Sequence, residues 1–171
     1  MKSFQHALVA VALLLWANAS HGAGPVAADD AQGNRAADLE AMLARYADAA
    51  KQFYDGRSGA VKALWSHADD VTLSGAAGGE TAKGWRNVSM RLDWASAQFS
   101  RGSKQVELIQ KTVSGDLAYV VQYEHILFFP PGKNTQSRRD YRVTTVFRRE
   151  AAGWRVVHRH ADMQMAREAI R

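Results

Sequence analysis

Residues 153–162 read GWRVVHRHAD, and residues 142–149, just before them, read RVTTVFRR. Both stretches alternate with a period of two, which is the pattern of a β-strand. Ala151 and Ala152 stand between them, so the two pair as an antiparallel hairpin. A two- or four-residue turn here sets Phe147 near Val156, Thr145 near His158 and Val143 near His160. One face then collects Val143, Thr145, Phe147, Trp154, Val156, His158 and His160. The other collects Arg142, Thr144, Val146, Arg148, Arg155, Val157 and Arg159. A packed face does not hold four unpaired guanidinium groups, so the first set is expected inside and the second outside. A one-residue bulge would exchange these assignments.

The strand before this hairpin offers Tyr119, Val121, Tyr123, His125 and Leu127 in one phase and Ala118, Val120, Gln122, Glu124 and Ile126 in the other. The first set matches the aromatic face. In the second, Glu124 is expected to meet the arginine face across strands. Strands are predicted at about 104–114, 117–129, 139–149 and 153–162, broken by Ser114-Gly115-Asp116 and by the PPGKN run at 130–134.

Upstream the period changes to that of a helix. Leu39, Met42, Leu43, Tyr46, Ala50 and Phe53 form one apolar stripe over roughly 34–54, ended by Asp55-Gly56. A short helix follows with Val61, Leu64 and Trp65, then a short strand at 71–74. The glycine-rich loop 75–84 (GAAGGETAKG) lacks the Gly-Lys-Ser/Thr ending of a phosphate loop. It opens a third helix whose stripe is Trp85, Val88, Leu92, Ala95 and Phe99. Helices first and an antiparallel meander last predict an α+β domain, with a cavity where a bent sheet wraps its helices.

Residues 7–16 (ALVAVALLLW) are an unbroken apolar run behind Lys2, and Ala17-Asn18-Ala19 has the small-x-small pattern of signal-peptidase cleavage. Ten residues are too few to span a bilayer, which takes about 20. Residues 1–19 are therefore expected as a signal peptide, with Ala23 and Ala28 as alternative cleavage points. The expected organisation continues with a flexible leader at 20–33, one domain at 34–165 and a tail at 166–171. The mature protein is expected in the periplasm or secreted, without a membrane segment. Cysteine is absent, which excludes disulfides, thiolate metal sites and a cysteine nucleophile. The net charge of +5 less that of Lys2 leaves the mature chain near +4. Seven arginines between 138 and 159 supply much of it. Export argues against nucleic acid as the partner, and a solvated or subunit-contacting sheet face is the expected role of these arginines.

LWSHADDVTL at 64–73, the loop ending in Gly84-Trp85, SGDLAYV at 114–120, RVTTVFRR at 142–149 and GWRVVHRH at 153–160 together resemble the SnoaL-like branch of the nuclear transport factor 2-like superfamily. The resemblance spans about residues 36–163. It implies a cone-shaped α+β domain of the cystatin-like roll type, a curved antiparallel sheet packed on about three N-terminal helices, with an apolar pocket. It also implies a homodimer formed through the outer sheet face. For activity it implies a range from polyketide cyclases, ketosteroid isomerases and dehydratases to binding modules without catalysis. The isomerase-type chemistry needs a carboxylate base in the pocket, and no inward Asp or Glu is expected on the late strands.

His158 and His160 point the same way and serve as the candidate proton-transfer residues, with Tyr123 as the ligand of a substrate oxygen. Trp65, Trp85, His125, Thr145 and Trp154 are the candidate ligand-binding residues. No metal site and no cofactor are expected, because the spacing of His158 and His160 demands no third ligand. Two functions remain. One is a pocket for a small hydrophobic oxygenated molecule, with or without cofactor-free acid–base catalysis. The other is a non-catalytic ligand-binding or dimerisation module.

Overall fold

Ala151 and Ala152 form the two-residue turn of the terminal hairpin, with Glu150 opposite Gly153 and Phe147 opposite Val156. In the computed structural model, which describes residues 25–163, this hairpin is the centre of a six-stranded sheet. The elements in chain order are helices α1 (Pro25–Phe53) and α2 (Gly59–Lys62), strands β1 (Thr72–Ser74) and β2 (Ala82–Lys83), helix α3 (Trp85–Ser96), and strands β3 (Ser100–Ser114), β4 (Leu117–Phe129), β5 (Ser137–Glu150) and β6 (Gly153–Asp162). The sheet order is β2-β1-β6-β5-β4-β3.

The four long strands form the expected meander. The sheet is nevertheless mixed, because β1 joins β6 in parallel, Thr72 opposite His158. The two-residue β2, within the loop expected from the glycines, extends that edge. Helix α1 begins at Pro25, ahead of the apolar stripe, and takes in residues 25–33 of the expected leader. Proline suits a first helical turn, where its missing N–H is not required. Further along, Gln32 Nε2 donates to the Val113 carbonyl at 2.8 Å and Arg35 Nε to Asp116 Oδ1 at 3.2 Å. Polar contacts to the β3–β4 turn, rather than a buried stripe, thus hold this end of the helix. The expected signal peptide and tail lie outside the described residues. Among the described residues, no helix is long and apolar enough to cross a membrane.

The core forms where one sheet face meets the helices. Leu39 and Met42 of α1, Val61 of α2 and Val88 and Leu92 of α3 pack on Ala118, Val120, Phe147, Trp154 and Val156. A second cluster of Tyr54, Phe99, Ile126, Phe128, Tyr141, Val143 and Ala161 continues toward the open end. The helix-stripe residues read from sequence lie in these clusters except Ala95, which lines a cleft instead, and Phe99 falls beyond the end of α3. The inward phase of β4, however, is Ala118, Val120, Glu124, Ile126 and Phe128. That is the opposite of the expected phase.

The hairpin register holds only through Phe147 and Val156. The next pair is Val146 with His158, which leaves Val157 as an extra residue. Val156 is fully buried, and Val157 also packs on the core. Such a bulge reverses the alternation downstream of it. Thr145 therefore opposes Arg159 and Val143 opposes Ala161, while His158 and His160 turn to the other side.

Candidate functional site

The bulge and the β4 phase bring Arg159 and Glu124 together on the inner face. Glu124 is 0% exposed. Arg159 holds it in a two-pronged contact, Nη2 to Oε2 at 2.8 Å and Nη1 to Oε1 at 3.2 Å. Lys104 Nζ donates to Oε1 at 3.0 Å from the neighbouring strand, and Gln122 Nε2 does so at 2.7 Å. The Tyr54 hydroxyl, at the end of α1, donates to Oε2 at 3.3 Å. Burial alone would raise the Glu124 carboxyl, but Arg159 and then Lys104 outweigh it and hold the group far below its ordinary value. Burial raises the hydroxyls of Tyr46 and Tyr54, and the Glu124 charge adds to the rise. Glu124 is thus a fully ionised, fully bonded carboxylate in an apolar interior.

Three spaces adjoin this cluster. A small cavity of about 40 Å³ has Tyr46, Tyr54, Lys104, Glu124 and Arg159 in its wall. A side cleft of about 180 Å³ runs between α1 and β3–β5, lined by Leu43, Tyr46, Lys104, Thr145 and Phe147. The third, of about 90 Å³, opens at the wide end of the sheet. Phe53, Tyr54, Leu92, Trp94, Phe99 and Tyr141 give it a largely aromatic wall, and Arg91, Arg139 and Arg159 bring charge to it. Gly75, Ala76 and Ala77 of the glycine-rich loop form its lip. Arg91 fixes that loop by donating to the carbonyls of Gly78 and Glu80 at 3.2 and 3.3 Å.

The close approach of β3 to α1 sets the position of Tyr54. Gly102 N–H donates to the Tyr54 carbonyl at 2.8 Å. A Cβ at Gly102 would lie 2.5 Å from that oxygen, so only glycine fits.

The sequence-predicted residues distribute differently from expectation. Trp154 and Thr145 are buried inside, as read. Trp154 satisfies its indole by donating to the Arg35 carbonyl at 3.1 Å, and it packs in the core. Trp65 is likewise a core residue, bridged to Val156. Trp85 stacks on His67, ring centroids 3.9 Å apart, away from the clefts. Trp94, 51% exposed, is the tryptophan at the cleft mouth.

His158, His160, Tyr123 and His125 are corrected: they sit on the outer sheet face, opposite the cavity. The Val157 bulge turns the first two outward, and the phase of β4 turns the other two. His158 Nδ1 lies 2.7 Å from the Thr72 hydroxyl, and burial followed by the neighbouring His160 lowers its pKa. His125 Nδ1 lies 2.6 Å from Asp140 Oδ1, which Arg138 also holds. Glu124, expected to face outward, is the inward carboxylate that was not anticipated. Its signal was present as an acid inside a run of largely apolar strand residues. Among the described residues, no three His, Cys, Asp or Glu side chains converge as a metal site would require.

Helices gathered on one face of a curved sheet, with a cleft at its open end, define the cone-shaped α+β class. Solved structures agree. A putative dehydratase of the NTF2-like family from Streptomyces avermitilis matches at TM-score 0.66 and 20% identity, over 78% of this chain and 99% of that one. An NTF2-like protein with a cystatin-like fold from Novosphingobium aromaticivorans matches at 0.62 and 23%, over 86% and 94%. A ketosteroid isomerase-like protein from Erwinia carotovora atroseptica matches at 0.62 and 19%, over 76% and 96%. Identities at this level carry the fold and no activity. The SnoaL-like domain model matches residues 39–166, and the chain belongs to that family. No curated protein matches the chain significantly in sequence.

Proposed function

We propose that the protein binds a small, largely apolar molecule in the cleft at the open end of the sheet, without acid–base catalysis by the buried cluster. The observation that carries this is the pairing of an aromatic-walled cleft with the saturated Glu124 carboxylate. A ligand site needs an apolar wall and a few fixed polar groups, and Arg159, Tyr54 and Tyr141 supply them. A general base needs affinity for a proton near the working pH. Glu124 accepts from Arg159, Lys104, Gln122 and Tyr54, which makes it a poor proton acceptor. The imidazoles of His158 and His160 lie across the sheet from the cleft.

The reading includes export, supported by residues 1–19, and a homodimer through the outer sheet face. Leu117, Tyr119 and Leu127 support the dimer, because they are large, exposed and share that face. Indole NMR of the mature protein against a panel of small hydrophobic oxygenated molecules tests the binding site. The Trp94 resonance is expected to move and that of Trp65 to stay. A panel that moves neither, or moves both alike, refutes the site. Sedimentation of the wild type against Tyr119→Lys tests the dimer, and a monomeric wild type refutes it.

A further inference from the structure

The charges around the cleft do not balance. Two cations, Lys104 and Arg159, have side chains only 9% and 12% exposed, and both pair with the single carboxylate of Glu124. Among the described residues, neither has a second carboxylate in ion-pair contact. The buried cluster therefore carries a surplus positive charge in an apolar interior, where a charge without its counterpart is costly.

The surplus grows toward the mouth. Arg139 lies 5.1 Å from the Phe128 ring centroid and 5.6 Å from that of Phe99. Among the described residues its one hydrogen bond is Nη1 to the Tyr141 hydroxyl at 3.4 Å, and no carboxylate pairs with it. Arg91 also lines the cleft, donating among the described residues to backbone carbonyls and lying 5.8 Å from the Trp94 ring centroid. Among the described residues, no Asp or Glu side chain is in the cleft wall. Rings that pack on a guanidinium leave its planar N–H edge open, and that edge matches a carboxylate.

We propose that the ligand of this cleft is a compact organic anion, a carboxylate carried on an apolar body of about one ring. The inference rests on the binding reading above and deepens it. The carboxylate is received by Arg139 and the cleft-facing edge of Arg159. The apolar body lies on Phe53, Leu92 and Phe99. Glu124 has a positioning role: it holds the Arg159 plane and keeps one of its edges toward the cleft. The anion offsets the surplus charge that the fold itself leaves unbalanced.

The test uses the full mature protein and phenylacetate against phenylacetamide, which has the same shape without the charge. Calorimetric titration is expected to show the acid binding about ten-fold or more tighter, equal to about 1.4 kcal/mol. That preference should fall as salt rises. Arg139→Gln is expected to remove the preference by weakening the acid about ten-fold more than the amide, and Arg139→Lys to restore part of it. Should Arg139→Gln fail to fold, the wild-type Trp94 indole shift decides, because the acid should move it at concentrations where the amide does not. Equal binding of acid and amide overturns the anion assignment and leaves the binding reading standing. Binding of neither probe at millimolar concentration overturns both.

Discussion

Glu124→Gln keeps the shape of the buried side chain and removes its charge. Lys104 and Arg159 are then left as two nearly enclosed cations without a counter-charge. Breaking a buried pair by removing one partner costs about 3–5 kcal/mol. The glutamine oxygen still accepts a hydrogen bond, and the two cations keep a little water contact, so the low end, about 3 kcal/mol, is expected. Against a total stability of roughly 5–15 kcal/mol, that is a fall in melting temperature of about 10 °C. Urea titration at neutral pH measures it without screening the charges. Replacing Lys104, Glu124 and Arg159 together by methionine removes the charges and restores packing, so it is expected to be neutral or stabilising.

The pH dependence has a fixed sign. The folded Glu124 carboxyl titrates well below its ordinary value of 4.5. The unfolded chain therefore takes up the proton first, and the stabilisation is present above that value and lost as pH falls below it. Wild type and Glu124→Gln should converge in acid. A Glu124→Gln variant within about 0.5 kcal/mol of wild type, or a triple methionine variant as unstable as Glu124→Gln, would refute the ion-pair account.

Gly102→Ala forces a Cβ against the Tyr54 carbonyl and is expected to cost about 1–3 kcal/mol. The Tyr54–Glu124 hydrogen bond should loosen with it, and a thermal melt matching wild type would count against the close approach. The lowered His158 pKa means that the unfolded chain binds the proton first, so stability should decline as pH drops below about 6.5. His158→Gln is expected to flatten that limb, and an unchanged slope by urea titration would exclude His158 as its source. Thr72→Val removes the 2.7 Å contact to His158 and is expected to cost about 1 kcal/mol. N-terminal sequencing of the exported product should begin after Ala19, Ala23 or Ala28; recovery of Met1 in a soluble cytoplasmic product would overturn export.

The stripes of α1 and α3 were legible in the sequence because each helix has one buried face. The β5–β6 turn was legible because two alanines before a glycine leave little choice of loop. The phase of β4 was not. Tyr119, Val121 and Leu127 make its outward set as apolar as its inward one, so a period of two cannot separate them. The seven residues between β4 and β5 do not set a register either. Placing Glu124 outside avoided a buried acid, a sound rule for a lone carboxylate. It failed because two cations, Lys104 on the neighbouring β3 and Arg159 on β6 beyond β5, supply the missing partners. Arg159 was hidden in turn: the Val157 bulge sends it inward, and two consecutive valines give no sign of which one is extra.

One extra valine in β6 acts on side chains as a frameshift acts on codons, rereading everything after it. Deleting Val157 would close the bulge and leave His158 opposite Val146, Arg159 opposite Thr145 and His160 opposite Thr144, the partners they already have. Arg159 would keep Glu124, and the imidazoles would stay outside. The opposite change, Val157 drawn into the ladder opposite Val146, is the one that would carry His158 and His160 to the inner face and Arg159 to solvent. Histidine ring NMR separates the two. The deletion variant is expected to keep His158 and His160 in their parental environments, and new contacts from either ring to Phe147 would refute the register. The chemistry of this pocket is therefore encoded less by which residues β6 carries than by where its spacing slips.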